Sequence, residues 1–198
     1  MKKILVFIML LLCFGCSEKV SVVKNNDGKS LTYLFFKDFD VRNYYVSFYD
    51  RNVSKNDDTM IIFARKDDKY YYEYKGSNEQ KIIQMDGFKY TINEKLNTFF
   101  KEESSLDDFS YGVLPSNIDD FKTMKYKTGK SKVFGRSYVF EEYRLKGVVS
   151  TYYFSGKKLI YVKTEIATGS SLIKFDSMKN NFSDKIFDIN DNYNEMSY

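Results

Sequence analysis

Cys16 is the residue of this 198-residue chain whose setting points to a reaction. It follows Gly15 at the end of an apolar run from Ile4 to Phe14, which in turn follows Met1-Lys2-Lys3. A cationic start, a short apolar core and a small residue before a cut site make a secretory signal peptide. The run is too short for a permanent membrane span, which needs about 20 apolar residues. The chain holds two cysteines, Cys13 and Cys16, and no histidine. A mature chain beginning at Cys16 would therefore carry one thiol with no disulfide partner. Without histidine, the common catalytic triads and most zinc sites are excluded. Paired acids occur at Asp57-Asp58, Asp67-Asp68, Asp107-Asp108, Asp119-Asp120 and Glu141-Glu142. Adjacent strand residues point to opposite faces, so such a pair does not flank one substrate without a bend. Glu141-Glu142 stands apart because it interrupts an aromatic strand, which predicts one inward acid paired with a Lys or Arg. Asp188-x-Asn190-x-Asn192 begins like a calcium loop, but Tyr193 stands where the loop needs Gly, so no metal is expected. No base, nucleophile and orienter form a constellation, so the chain reads as a non-enzyme without a cofactor.

The stretch Leu12-Cys13-Phe14-Gly15-Cys16 resembles the lipobox of bacterial lipoproteins. The resemblance implies a diacylglyceryl thioether on Cys16, cleavage after Gly15 and acylation, for instance palmitoylation, of the new amino terminus. Cys13 and Phe14 depart from the aliphatic and small residues of that pattern. The expectation is an extracytoplasmic protein, tethered by lipid to a bacterial membrane at the cell surface or in the periplasm.

These readings set the organisation: residues 1–15 as signal peptide, 16–30 as lipidated cysteine and flexible tether, and 31–198 as one domain. The net charge is +4, and loss of Lys2 and Lys3 with the leader lowers it by two. That balance does not call for a nucleic-acid partner. Tyr and Phe number 18 each, a load that favours strands and large cores. Ser30 predicts a capped short helix over Leu31, Leu34 and Phe35. The period then changes to two, with strands over 43–49, 60–65, 70–75, 81–85, 88–93 and 96–101. Met60–Arg65 is apolar on both parities, so both faces there are expected to be covered. Asp86-Gly87 is the strongest hairpin signal, and it turns Phe88, Tyr90 and Ile92 inward. After a break that holds Gly112 and Pro115, Ile118, Phe121 and Met124 predict a short helix. Strands resume over 125–133, 137–145, 148–154, 159–166 and 172–175, with turn glycines between. Short turns imply antiparallel neighbours. The fold class is therefore mainly β with one or two short helices: a large curved antiparallel sheet, or incomplete barrel, wrapped over helix.

The C-terminal half carries a pattern of turn glycines and strand aromatics. It runs Thr128-Gly129-Lys130-Ser131-Lys132-Val133-Phe134-Gly135, then Ser137-Tyr138-Val139-Phe140-Glu141-Glu142-Tyr143, then Tyr152-Tyr153-Phe154-Ser155-Gly156-Lys157-Lys158-Leu159, and ends with Ile186-Phe187-Asp188 and Asn192-Tyr193. This resembles the LolA/LolB-like outer-membrane lipoprotein-carrier superfamily over roughly residues 30–196. The terminal Pro-x-Gly-Tyr of that family is here Asn190-Asp191-Asn192-Tyr193. The resemblance implies an incomplete barrel whose concave face accepts a lipid or other apolar ligand. Tyr70, Tyr72, Tyr74, Phe88, Tyr90, Tyr138 and Phe140 are the residues expected to line it. The competing expectation is an envelope interaction module whose interior is filled by its own side chains.

Overall fold

The structure, a computed structural model, describes residues 20–24, 27–51, 58–76, 79–104 and 117–196. The signal peptide, Cys16, Asp57, Asp107-Asp108 and the Gly112–Pro115 break lie outside those residues.

Strand β1 (Ser21–Val23) comes first and helix α1 (Leu31–Phe36) follows it. A six-strand meander then runs through β2 (Asn43–Arg51), β3 (Asp58–Lys66), β4 (Lys69–Lys75), β5 (Gln80–Met85), β6 (Phe88–Asn93) and β7 (Thr98–Glu103). Helix α2 (Asp120–Thr123) leads into a five-strand meander: β8 (Tyr126–Val133), β9 (Arg136–Leu145), β10 (Val148–Ser155), β11 (Lys158–Ile166) and β12 (Gly169–Lys179). A 3-10 turn at Asp184–Phe187 and strand β13 (Asn194–Met196) complete it. Among the described residues 13 strands form one sheet, ordered β1-β8-β9-β10-β11-β12-β2-β3-β4-β5-β6-β7-β13 and not closed into a barrel. The expected mainly β fold, one large sheet with few and short helices, is what the chain adopts.

Turn chemistry sets the meander. Asp86 and Gly87 have φ of 55° and 79°, as a type I′ hairpin requires. Phe134-Gly135 and Lys146-Gly147 adopt the same left-handed pair. Two register shifts interrupt the alternation, at Tyr153/Phe154 and at Phe175/Ser177. The second explains why β12 outruns the strand expected over 172–175. Phe175 and Met178 both face the helices across a bulge, so a strict period of two ends there.

Two further expectations are corrected. The stretch read as tether contributes β1, whose Val23 and Ser21 lie opposite Tyr126 and Thr128. The sheet is also mixed rather than wholly antiparallel, because β13 runs parallel to β7. After β12 the chain crosses the sheet face before it reaches β7, and a crossover of that kind returns a strand in the parallel sense.

The core has two faces. On one, α1 and α2 pack against β2, β3 and β9–β12 through Phe36, Phe39, Phe48, Phe63, Phe121, Tyr152 and Phe154. On the other, the C-terminal crossing lays Phe182, Ile186 and Phe187 over Ile62, Ala64, Tyr71, Ile83 and Ile92. The two-sided apolar run of β3 thus divides as expected, with Ile61 and Phe63 to the helices and Ile62 and Ala64 to the crossing segment. Within α1 the buried residues are Thr32 and Phe36, while Leu34 is exposed, so the helix presents a different stripe from the one its sequence predicted.

Candidate functional site

The helix-facing side was expected to offer a ligand surface, and its centre is occupied by the protein's own rings. Phe36 packs 6.0 Å from Tyr152 and 6.4 Å from Phe121, centroid to centroid. Phe35 reaches Phe175 at 5.3 Å, and Phe121 meets Tyr143 edge-on at 4.8 Å. Phe36, Phe48, Phe154 and Leu159 are at most 1% exposed.

Glu141 fixes the helix to this face. Its carboxylate is buried and accepts from the backbone N–H of Leu31 (2.8 Å) and Thr32 (2.9 Å), the Thr32 hydroxyl (2.7 Å) and the Tyr143 hydroxyl (3.2 Å). Ser30 caps the same helix by accepting from the Tyr33 N–H at 3.1 Å. The first-turn N–H groups of a helix lack internal partners, and a carboxylate there makes strong charge-assisted bonds. The inward acid therefore meets N–H and hydroxyl donors, not the Lys or Arg that the sequence suggested. The outward neighbour, Glu142, takes that partnership instead, with Arg144 at 3.1 Å and Lys127 at 3.4 Å. Burial, then the adjacent Glu141 charge, pushes the Tyr143 hydroxyl well above its ordinary range.

The seven aromatic candidates do not share one surface. Tyr72 and Tyr74 pack at the margin of the helix-facing core, with Tyr72 5.0 Å from Phe63. Tyr70 lies on the same strand parity, beneath the Arg65 guanidinium at 4.8 Å. Phe88 and Tyr90 are on the opposite face. Lys101 stands 4.1 Å over the Phe88 ring, and Tyr90 lies 5.8 Å from Phe99. Tyr138 and Phe140 join a third cluster with Val133, Tyr153 and Tyr161, on the side of β9–β11 away from the helices. The stretch at Asn190–Asn192 forms an Asx turn, in which the Asn190 side chain accepts the Asn192 N–H at 3.0 Å.

A cleft of about 630 Å³ lies at the ends of β4, β5 and β6. Its charges are matched internally: Lys75 with Glu73 (3.2 Å), Lys81 with Glu94 (2.9 Å) and Lys95 with Glu79 (3.4 Å). Such pairing leaves little net field for an ionic ligand.

One feature escaped the sequence reading because net charge averages it away. Residues 122–136 carry Lys122, Lys125, Lys127, Lys130, Lys132 and Arg136 and no acid. The fold sets them along one sheet edge, β8, and its flanking turns. Their spacing along the chain was the available signal. No known protein-family model matches this sequence, and no curated protein matches it.

Proposed function

We propose that the chain is an extracytoplasmic lipoprotein, anchored through lipid on Cys16, whose sheet domain is a filled interaction module rather than a carrier. The observation that supports this most is the packing of α1 and α2 onto the aromatic face, with Glu141 bonding the first turn of α1. A ligand at that position would have to displace Phe36 and Phe121 and strip Glu141 of its donors. Leaving a buried carboxylate without partners costs several kcal/mol, about 3–5 by the measure of broken buried pairs. The anchor reading rests on the Gly15-Cys16 junction at the end of the apolar run and on the absence of another cysteine beyond it.

A second reading, an apolar or lipid ligand on a fold like that of the lipoprotein carriers, draws on Tyr70, Tyr72 and Tyr74. They form a row on the helix-facing parity and stay partly exposed. Native mass spectrometry and lipid extraction of the membrane-derived protein separate the two. The filled module gives a mass equal to the chain plus its covalent lipid. A reproducible additional lipid would overturn it in favour of the carrier reading. Cys16→Ser should remove the covalent lipid mass and let a high-salt wash move the protein from the membrane to the soluble fraction. Retention through that wash, with no covalent lipid mass on the wild type, would defeat the anchor.

A further inference from the structure

Strand β1 does more than lengthen the sheet. Val20, just before it, is the first described residue, and residues 17–19 are all that separate it from Cys16. The four Cα-to-Cα steps from Cys16 to Val20 reach at most about 14 Å. A lipid on Cys16 would thus hold the β1–β8 edge within that distance of the bilayer. β1 runs antiparallel to β8, with Ser21 opposite Thr128 and Val22 opposite Lys127. Its amino-terminal end therefore points along β8 toward Lys130, Lys132 and the Phe134-Gly135 turn.

That edge is built of cations and exposed apolar residues. Lys122, Lys125, Lys130, Lys132 and Arg136 are all exposed. Among the described residues none of these five forms an ion pair, whereas Lys127 pairs with Glu142. Lys122 belongs to the same edge, since its carbonyl accepts the Gly28 N–H at 3.0 Å in the β1–α1 connection. The acids that flank this stretch in the chain are Asp119 and Asp120 before it and Glu141 and Glu142 after it. Asp120 accepts from the Asn117 side chain, Glu141 is buried under α1, and Glu142 pairs with Lys127 and Arg144. Val20, Val22 and Phe134 are 55%, 60% and 50% exposed. Phe134 projects from a two-residue turn at φ 48°. Lysines beside exposed apolar side chains suit the headgroup region of a negatively charged leaflet.

We propose that the β1–β8 edge is a docking surface for anionic phospholipid headgroups, so that the domain lies against the membrane in one orientation. The proposal deepens the Cys16 anchor reading and rests on it for the closeness of that edge to the bilayer. Charge complementarity and the short reach of chain select this occupant.

The test uses the processed chain, residues 16–198, with Cys16→Ser, which keeps every described residue and lacks the lipid. It should float with vesicles of phosphatidylcholine plus phosphatidylglycerol at low salt and be released at high salt. It should not float with phosphatidylcholine alone. Reversing Lys130, Lys132 and Arg136 together to Glu should weaken binding at least about tenfold. Reversing Lys95, Lys101 and Lys185 to Glu, an equal charge change at exposed sites elsewhere, should weaken it less than about threefold. Thermal unfolding of both variants checks that each is folded. No binding to anionic vesicles, equal binding to neutral ones, or equal loss in the two triple variants overturns the proposal. Binding to duplex DNA without binding to vesicles overturns it as well. The intact mass of the membrane-extracted wild-type protein scores the anchor separately, so either idea can fail without concealing the outcome for the other.

Discussion

Glu141 joins the strand chemistry of β9 to the placement of α1. Four donors converge on its carboxylate, two of them backbone N–H groups that a six-residue helix cannot satisfy by itself. Short helices are marginal without tertiary partners, so this residue decides whether α1 covers the sheet. Glu141→Ala should destabilise the fold by about 3–5 kcal/mol, because buried donors lose their acceptor. Glu141→Gln keeps one acceptor oxygen and should cost about 1–3 kcal/mol. Urea denaturation measures both, and a Gln variant as stable as the wild type would show that charge is irrelevant at this site. Phe134 poses a different residue-scale question. A bulky side chain at φ 48° is strained by roughly 1 kcal/mol or more. Its ring contact with Tyr161, at 5.8 Å, returns a similar amount. Phe134→Asn should therefore leave folding stability within about 1 kcal/mol of wild type, while vesicle binding of the Cys16→Ser chain drops. A large stability loss would make Phe134 a structural residue and remove it from the docking surface.

Among the elements, the one that composition least advertises is the C-terminal crossing. Residues 182–193 hold Phe182, Ile186, Phe187 and Ile189 against the sheet face opposite the helices. Phe187 is 2% exposed although it sits in a single 3-10 turn. Phe187→Ala should cost about 3–5 kcal/mol and open that face to a hydrophobic dye. A cost below about 1 kcal/mol would mean the segment is not packed in solution. The strands of both meanders were legible because alternation, turn glycines and β-branched or aromatic residues agree along them, most clearly at Asp86-Gly87 and at Met60–Arg65. Both helices were legible from Ser30 and from the Ile118, Phe121, Met124 spacing. β1 and β13 were not. Three-residue edge strands owe their pairing to the neighbouring strand, and their own sequences, Ser21-Val22-Val23 and Asn194-Glu195-Met196, carry little periodicity. The helix-facing stripe of α1 was misread for a related reason: the Glu141 bonds to Leu31 and Thr32 set the helix's rotation, and β9 lies more than a hundred residues away. The proposed site divides the same way. Cys16 and the run of cations over 122–136 are both visible in local sequence, whereas the nearness of that run to the start of the domain exists only once β1 lies against β8.

At the scale of the whole molecule, one sheet carries buried tyrosines on both faces. Tyr71 lies on the face under the C-terminal crossing, and Tyr143 and Tyr152 lie on the helix-facing side. Burial raises all three hydroxyls well above the ordinary value, with the nearby charges of Glu73 and Glu141 adding to the effect at Tyr71 and Tyr143. The folded state thus keeps protons that the unfolded chain releases above about pH 10. Stability from these groups is complete below that pH and falls as pH rises toward the folded values. Each buried tyrosine adds about 1.4 kcal/mol of loss per pH unit in that window, so the three together approach about 4 kcal/mol per unit. Denaturation midpoints should be flat with respect to these groups between about pH 8 and 10 and drop steeply above. Tyr143→Phe should lower neutral-pH stability by about 1 kcal/mol, through loss of its bond to Glu141, and make the alkaline slope shallower by roughly one third. Since β12 and β2 pair along the middle of the sheet, both meanders should unfold in one transition. Two separated alkaline transitions, only one of them altered by Tyr143→Phe, would show that the helix-covered half and the C-terminally covered half are independent units and that the sheet is not one cooperative body.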